Sequence, residues 1–258
     1  MGTGVIFAEE RQRQILDLLK VRDKLLVSEL CERFSASPAT IRNDLNLLEK
    51  EGLLQRTHGG AISCRKAGFE LTDSQKIGAN LPQKQRIARY AASLIENGDT
   101  VALDTGTTTL RLAEQLIDKT DLTVITTDIR IASVLEKLPG ISVILVGGML
   151  RKGFSCTVGA MVNNTLAGLR VDKAFLAANG VTSSGAVCTP DIEQAQVKRS
   201  MLKTGTQTFL LCDSSKFGTQ SFAQFGRLDQ FDMVITDDGI NETVLESLRA
   251  QGANLVTV

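Results

Sequence analysis

The sequence predicts an α/β protein built from a small winged helix-turn-helix domain followed by a larger doubly wound domain. Two observations support this prediction. Residues 28–61 show two short helical patterns and then a glycine-containing hairpin. From residue 83 onward, short apolar strands alternate with helical segments, which is typical of a parallel sheet covered by helices on both faces. We therefore predict a first domain over residues 1–62, a linker over 63–82 and a second domain over 83–258.

The small domain begins with a helix predicted over residues 9–21, where apolar residues recur at helical spacing. Residues 25–27 form a short strand or connector that can pair with the later hairpin. Ser28 can cap a second helix that runs to about Phe34, and residues 35–36 form the turn that follows. Together with a third helix, these elements can bury one small core.

The third helix, residues 37–50, is the element whose surface suits DNA. Ser37 is its N-cap candidate, and Pro38 takes the first helical position, where a missing N–H costs nothing. Its apolar stripe consists of Ile41, Leu45 and Leu48. Its opposite face is short, polar and weakly basic, and carries Ala39, Asn43, Asn46 and Lys50, flanked by Thr40 and Arg42. In a major groove, arginine can bind guanine, and asparagine can bind adenine or a phosphate.

A hairpin follows this helix, with two short strands predicted on either side of Gly59 and Gly60. A basic hairpin after a helix-turn-helix is a wing, so Arg56 and His58 are expected to contact the DNA backbone or minor groove. The predicted DNA-contacting residues are Ser37, Ala39, Thr40, Arg42, Asn43, Asn46, Arg56 and His58. The alternative is a three-helix packing module whose polar face is merely solvated.

The large domain is predicted from seven short apolar runs with helices between them. The predicted strands are residues 100–104, 122–127, 142–147, 173–178, 208–213, 233–237 and 254–258. The predicted helices are residues 83–96, 107–117, 129–137, 191–204 and 241–251. Ligands of doubly wound sheets bind at the carboxyl ends of the strands, so the residues that follow each strand are the candidates for a site.

The first strand of this domain continues into a threonine-rich turn and a helix. The turn carries Asp104, Gly106, Thr107, Thr108 and Thr109. Backbone N–H groups, hydroxyls and a helix N-terminus can hold an anion there. No Gly-Lys-[Ser/Thr] and no G-x-G-x-x-G occurs, so the turn is neither a Walker A loop nor a dinucleotide fingerprint. An ordinary strand-to-helix turn capped by threonine is the alternative.

Three further strand ends carry small or polar residues. Gly147 and Gly148 allow a ligand to approach the backbone closely, although a plain turn explains them equally well. Asn179 and Gly180 follow the fourth strand, and Lys216 follows the fifth. Lysine can pair with a phosphate or a sugar oxygen, whereas most lysines are simply solvated. Several such ends at one sheet edge indicate a site better than any one of them.

Composition sets broad limits on function. The 258 residues are 43% hydrophobic and 22% charged with no net charge, as in soluble globular proteins. Residues 1–66 hold 11 basic and 9 acidic residues, which permits nucleic-acid binding without suggesting it. Five scattered cysteines and a single histidine argue against a disulfide framework or a metal site, and no cofactor is expected. Without a membrane-length apolar run or a signal peptide, a cytoplasmic location is expected.

The whole chain resembles one known family. The motifs TIRNDL-LLE-EGLLQRTHGGA, LDTGTTT, VGG, AANGV, GAVCTPD-EQAQVKRSM, DSSKFG and VITD, in this order, are similar to those of the DeoR family of bacterial sugar-catabolism regulators. Asn43 stands where the family usually has a second arginine, and Gln194 where a glutamate is common. Thr126-Thr127-Asp128 stands where the family often has Thr-Asn-Ser or Thr-Asn-Asp. The last two departures can alter which sugar is accepted.

The resemblance implies a sensor domain similar in fold to ribose-5-phosphate isomerase that binds a phosphorylated sugar. Carried over by position, its ligand-binding residues are Asp104, Gly106, Thr107, Thr108, Thr109, Gly147, Gly148, Asn179, Gly180 and Lys216. The expected protein is a repressor of a carbohydrate catabolic operon that a phosphorylated sugar releases from double-stranded operator DNA. A homodimer or homotetramer assembled through the large domain is expected, because specific sites usually bind two heads.

The competing interpretation is a sugar-phosphate isomerase with a helical appendage. Such an enzyme needs a positioned carboxylate to move a proton next to a carbonyl. In isomerases of similar fold an acidic residue lies in the loop matched here by residues 179–182, and none of these four is acidic. Asp104 remains as a possible base, so the isomerase interpretation is weakened and stays open as the alternative. No catalytic residue is assigned, and the prediction is that the protein is not an enzyme.

Overall fold

The computed structural model describes residues 7–22, 24–50, 53–57, 59–63 and 70–258. The chain divides into two compact units, Met1–Ala79 and Asn80–Val258. His58, which the sequence analysis placed on the wing, lies outside the described residues. Its proposed DNA contact therefore stays a prediction.

The first unit packs three helices against a small antiparallel sheet. Its elements are α1 (Ala8–Val21), β1 (Lys24–Leu26), α2 (Val27–Phe34), α3 (Pro38–Lys50), β2 (Leu54–Thr57), β3 (Gly60–Ser63) and α4 (Asp73–Lys76). The strand order is β1-β3-β2, with Leu25 opposite Ala61, so the predicted pairing of residues 25–27 with the hairpin is confirmed for β1. The buried core includes Ile15, Leu30, Ile41, Leu45 and Leu54.

The predicted cap of the second helix is wrong. Helix α2 begins at Val27, so Ser28 lies inside its first turn, and Leu26 is the flanking residue. The Leu26 backbone N–H donates to the Glu29 carboxylate at 3.1 Å, so a glutamate reaching back takes the place of a serine cap. Helix α2 ends at Phe34, and Ser35, whose φ is 49°, makes the turn into α3.

The cap of α3 is confirmed. The Ser37 hydroxyl oxygen accepts the Thr40 backbone N–H at 3.1 Å, and the helix begins at Pro38. The predicted stripe is buried, since Ile41 and Leu45 are fully inaccessible and Leu48 is nearly so. The opposite face of α3 therefore points outward, as the pattern predicted.

The second unit is built on a seven-stranded parallel sheet. Its strands are β4 (Thr100–Leu103), β5 (Leu122–Thr126), β6 (Ile141–Leu145), β9 (Val171–Ala177), β12 (Gly205–Leu211), β14 (Met233–Thr236) and β15 (Leu255–Thr257). The strand order is β15-β14-β12-β9-β4-β5-β6, so β4 is flanked by β9 and β5. All seven predicted strands are confirmed, because continuous apolar runs are the pattern of strands buried on both faces.

Helices cover both faces of this sheet, as predicted. They are α5 (Leu81–Ser93), α6 (Thr107–Ala113), α7 (Ile129–Leu135), α8 (Ala160–Ala167), α9 (Ile192–Thr204) and α10 (Glu242–Ala250). Ala174 and Leu176 face a core that includes residues of α8, α9 and α10, whereas Phe175 and Phe209 stack at 4.6 Å in the core beneath α5, α6 and α7. Across the described ranges, no helix has the length and apolar character needed to span a membrane.

Three features of this unit were not predicted from the sequence. They are helix α8, the hairpin of β7 (Met149–Arg151) and β8 (Cys156–Val158), and a small antiparallel sheet of β10 (Gly180–Val181), β11 (Ala186–Thr189) and β13 (Ala223–Arg227). Helix α8 begins after Gly159 without a side-chain cap, so it lacks the usual start signal. The predicted linker 63–82 contains α4, and α5 begins at Leu81, two residues earlier than expected. The linker boundary stays a prediction.

Candidate functional site

The polar face of α3 is the candidate DNA-contacting surface. Ala39, Arg42, Asn43 and Asn46 are exposed on it, and Thr40 is half-buried. The hydroxyls of Ser37 and Thr40 lie 2.9 Å apart, so they hold each other at the start of the helix. The predicted residues of α3 therefore share one accessible face next to a helix N-terminus.

The wing is held against this helix by Arg56. Its guanidinium donates to the Asn46 side-chain oxygen, and its backbone N–H donates to the Glu49 carboxylate at 2.8 Å. Arg42 and Arg56 also line one cleft of about 500 Å³. Arg56 is consequently an extension of the α3 surface and not an isolated wing residue.

A buried ion pair that the sequence analysis missed fixes the position of α3. Asp44 is 3% exposed and accepts from Arg11 Nε at 2.6 Å, from Arg11 Nη2 at 3.2 Å and from Gln12 Nε2 at 3.0 Å. The bidentate geometry ties α3 to α1. The sequence did indicate a buried partner for Asp44, because Asp44 lies on the apolar stripe between Ile41 and Leu48.

In the second unit, the residues following β4 begin the candidate ligand site. Asp104 is fully buried and accepts from the Thr105 N–H at 2.8 Å, the Ala177 N–H at 3.0 Å and the Lys198 ammonium. Burial raises the pKa of Asp104, and the adjacent Lys198 opposes that rise. Lys198 is 3% exposed and also donates to the Ala177 carbonyl at 2.9 Å.

The ligand contact predicted for Asp104 stays a prediction. In the structure Asp104 is a buried carboxylate that binds two backbone N–H groups and a lysine, and it joins the β4 loop to the end of β9. Lys198 was missed even though it lies in a quoted motif. Lys198 occupies the buried face of α9, between Ala195 at i−3 and Met201 at i+3. An apolar residue is normal at such a position.

Gly106 gives the 104–109 loop its shape. Its φ is 155°, and a Cβ there would lie 3.2 Å from the Ala177 Cβ and 3.3 Å from the Thr109 hydroxyl oxygen. Thr107, Thr108 and Thr109 are buried in the first turn of α6, and Thr109 donates to the Gly106 carbonyl at 3.0 Å. Gly106 has no side chain to cap α6, so the first N–H groups of the helix remain donors for another acceptor.

Thr105 connects the loop to the next strand end. Its hydroxyl donates to the Asp128 carboxylate at 2.8 Å, and Asp128 caps α7 by accepting the Arg130 and Ile131 N–H groups. The Arg130 guanidinium contacts the same carboxylate at 2.8 Å and is partly exposed. Capping by Asp128 was readable from the sequence, because an aspartate directly precedes the predicted helix.

Cys156 and Gln194 complete this group of contacts. The Cys156 backbone forms a bridge with Asp128, and its thiol donates to the Gln194 side-chain oxygen at 3.4 Å. Burial raises the pKa of Cys156 to about 11. We define the edge site as the 104–109 loop together with Asp128, Cys156, Gln194 and Lys198.

The remaining predicted ligand residues lie on the same sheet edge at other strand ends. Gly147 is exposed, with open space around it. A Cβ on Gly148 would lie 2.6 Å from Val162 Cγ2, so close packing accounts for a glycine at that position. A Cβ on Gly180 would likewise lie 2.4 Å from the Thr219 carbonyl oxygen. The Asn179 side-chain oxygen accepts the Thr189 hydroxyl at 3.0 Å.

Lys216 follows β12, and strands β12 and β4 are two positions apart in the sheet, roughly 10 Å. Its ammonium lies 4.0 Å from the Asp213 carboxylate and is one-third exposed. The pKa of Asp213 is lowered by Lys216, the Ser215 hydroxyl and Lys84, against the opposing effect of burial. No cluster of three or more potential metal ligands occurs among the residues that the structure describes.

Comparison with known proteins identifies the family. The model of the DeoR C terminal sensor domain matches residues 79–238, and the model of the DeoR-like helix-turn-helix domain matches residues 11–67. The chain belongs to the DeoR family. It is therefore a helix-turn-helix transcriptional regulator that carries a sensor domain.

Full-length relatives of this DeoR-family chain are named as regulators. It is 35% identical to the HTH-type transcriptional repressor GlcR of Bacillus subtilis (strain 168), with 97% of this chain and 96% of the relative aligned. It is 33% identical to the HTH-type transcriptional regulator GolR of Listeria innocua, over 96% and 97%. It is 31% identical to the putative aga operon transcriptional repressor of Escherichia coli O157:H7, over 96% and 93%.

Solved structures similar to the DeoR-family chain include enzymes and translation factors. Ribose 5-phosphate isomerase A from Methanocaldococcus jannaschii aligns with a TM-score of 0.40 and 17% identity, over 54% of this chain and 55% of that chain. The eIF2B delta subunit from Chaetomium thermophilum aligns with a TM-score of 0.47 and 15% identity, over 88% and 70%. The chain thus spans about half the length of the isomerase.

Proposed function

We propose that this DeoR-family regulator represses a carbohydrate catabolic operon and that a phosphorylated sugar bound at the edge site releases it from operator DNA. The observation that carries this proposal is the edge site itself. There a helix with an uncapped N-terminus follows a glycine loop at the carboxyl end of a parallel strand. The sensor-domain match and relatives named as repressors support the same function.

The proposed phosphate position is the N-terminus of α6 at Gly106–Thr109. The Lys216 ammonium, at the end of another strand on the same sheet edge, is proposed to add positive charge there. A phosphate carries about two negative charges, so backbone donors and an ammonium favour it over a free sugar. Gly147 and Asn179 are proposed to line the sugar side. Asp104 and Lys198 are proposed to support the loop from below, because neither side chain is accessible.

The test is a titration of operator complexes with effectors. Duplexes selected from a random library by the full chain supply the operator, and sugar phosphates and the matching free sugars are then added. Typical coupling between two sites is about 1–3 kcal/mol, so operator affinity should fall roughly 5- to 150-fold with a phosphorylated sugar. The proposal fails if no phosphorylated sugar changes the affinity.

Arg42→Ala should weaken operator binding by about 1–3 kcal/mol if Arg42 contacts a base edge, and should relax specificity at that base pair. The expectation follows from the exposed guanidinium on the polar face of α3. Binding is measured on the selected duplex and on single-base variants of it. Arg13→Ala, at an exposed position on α1, is the control and should leave affinity unchanged. An equal loss on all duplexes would instead make Arg42 a phosphate contact.

Lys216→Ala should leave DNA binding intact and blunt the effector response. The Lys216 side chain is one-third exposed, so removing it should not disturb the fold. Its loss removes positive charge from the sheet edge. Effector titrations of the operator complex measure the response. Lys203→Ala, an exposed lysine on α9, serves as the control and should respond like the parent. A Lys216→Ala response equal to that of the parent would remove Lys216 from the proposed site.

We propose binding and not catalysis at the edge site. A general base must lie within hydrogen-bond reach of the proton that it abstracts. Asp104, the candidate base of the isomerase interpretation, is inaccessible and already binds Lys198. An isomerase assay of the purified chain with phosphorylated sugars is expected to show no turnover.

We also propose that the large domain assembles the chain into a dimer or tetramer. Specific operators usually bind two heads one or more helical turns apart, roughly 34 Å per turn. Sedimentation of the full chain measures the assembly. A monomer at the concentrations that saturate the operator would contradict this proposal.

A further inference from the structure

Gln194 carries a buried donor that the described protein does not use. The residue lies in the first turn of α9, whose N-cap is Asp191, and it is 2% exposed. Its side-chain oxygen accepts the Cys156 thiol at 3.4 Å. Its side-chain nitrogen, Nε2, is buried and has no hydrogen-bond partner among the described residues.

The orientation of this amide follows from the thiol. Burial raises the pKa of Cys156 to about 11, so near neutral pH the sulfur keeps its proton and is a donor. A donor faces the amide oxygen, and Nε2 is thereby directed elsewhere. Because an amide nitrogen can donate but cannot accept, only an acceptor can satisfy it.

The surroundings of Gln194 place it in the edge site. Cys156 lies in a backbone bridge with Asp128, which accepts the hydroxyl of Thr105 in the 104–109 loop at 2.8 Å. One helical turn further along α9, Lys198 holds Asp104 at the start of the same loop. Gln194 is therefore linked to the 104–109 loop in two ways, through Cys156 and Asp128 to Thr105, and along α9 through Lys198 to Asp104.

A second orphaned atom belongs to the residue that precedes Asp128. The hydroxyl of Thr127, the residue before Asp128, is buried and has no partner among the described residues. Its backbone carbonyl accepts the Thr157 N–H at 3.0 Å, so it lies one residue from the Cys156 bridge. Buried polar groups usually have a hydrogen-bond partner, so each of these two atoms needs a partner that the described residues do not supply.

We propose that Gln194 is a specificity-determining residue of the edge site, with Nε2 donating to an uncharged oxygen of the bound phosphorylated sugar. The proposal rests on the proposed function of this site. A hydroxyl or carbonyl oxygen of the sugar can accept a hydrogen bond from Nε2. An ammonium group at the same position cannot, because it carries only donors. The edge site accordingly selects neutral sugar phosphates over amino-sugar phosphates.

The test compares three full-length variants by calorimetric titration. Gln194→Met removes the donor, Gln194→Glu replaces it with an acceptor, and Gln196→Glu places the same charge at an exposed position two residues away. The probes are inorganic phosphate, the 6-phosphates of glucose, galactose and fructose, their single-deoxy analogues, and glucosamine and galactosamine 6-phosphates.

The expected result is selective. The neutral sugar phosphate that the parent binds best should lose roughly 5- to 150-fold in affinity for Gln194→Met, while inorganic phosphate binds both proteins equally. One deoxy analogue should weaken the parent by a similar factor and leave Gln194→Met unchanged. Gln194→Glu should reverse the order of neutral and amino sugars, and Gln196→Glu should behave like the parent.

A thermal measurement separates this role from a structural one. Gln194→Met also removes the acceptor of the Cys156 thiol, so its Tm without ligand serves only as the reference for each protein. From that reference, the Tm of Gln194→Met should rise less than that of the parent when the sugar phosphate is added. An equal rise in Tm, or unchanged affinity for every sugar phosphate, would overturn the assignment of Gln194. If no sugar phosphate bound the parent, the proposed function would fail first, and with it this inference.

Discussion

Lys198→Met is expected to destabilise the second unit by about 3–5 kcal/mol, the cost of leaving one partner of a buried ion pair alone. Lys198 and Asp104 are at most 3% exposed, so water cannot replace the lost partner. The Ala177 carbonyl also loses the ammonium that donates to it at 2.9 Å. The variant should keep its fold at low temperature and lose much of the margin that a domain usually has.

Tyrosine fluorescence during urea unfolding measures this effect selectively. The chain has one tyrosine and no tryptophan, and Tyr90 lies in α5 of the second unit. The double variant Asp104→Asn/Lys198→Met should recover part of the loss, because neither charge is then left unpaired. Lys203→Met on the exposed side of the same helix should change stability by no more than about 0.5 kcal/mol. A Lys198→Met loss no larger than that control would show that the pair contributes nothing.

The architecture was predictable because the spacing of apolar residues along the chain indicates which faces of the helices and strands are buried. Strands β4 and β5 are mostly apolar, β9 and β12 each contain a buried apolar run, and helix α3 keeps its apolar residues on one side. The elements that were missed lack such a signal. The β7–β8 hairpin carries exposed Met149 and Leu150, so its sequence shows neither clear alternation nor a turn with a single interpretation.

The edge site was predictable in position and only partly in chemistry. Strand ends of a parallel sheet meet at one edge, which identified the 104–109 loop from the sequence. The partner of Asp104 could not be identified, because Lys198 lies 94 residues away and comes from a helix on one face of the sheet. The role of Gln194 was likewise hidden, since an orphaned donor exists only in relation to the atoms around it.

Asp44→Ala is expected to abolish operator binding by unfolding the head, with a loss of about 3–5 kcal/mol in the first unit. The change leaves Arg11, whose side chain is 11% exposed, without the carboxylate that it binds at 2.6 Å, and frees the Gln12 amide. A domain of this size has little stability to spare. The α3 surface would then lose its fixed position, because the α1 contact that holds it is gone.

The second unit supplies the internal control for this variant. Tyr90 should report an unchanged urea transition, and calorimetry should show unchanged sugar-phosphate binding, since Asp44 belongs to the first unit. Glu9→Ala removes an exposed carboxylate from the same head and should preserve operator affinity. Normal operator binding by Asp44→Ala would mean that the Arg11–Asp44 pair does not hold α3. Simultaneous loss of both transitions would mean instead that the two units do not fold independently.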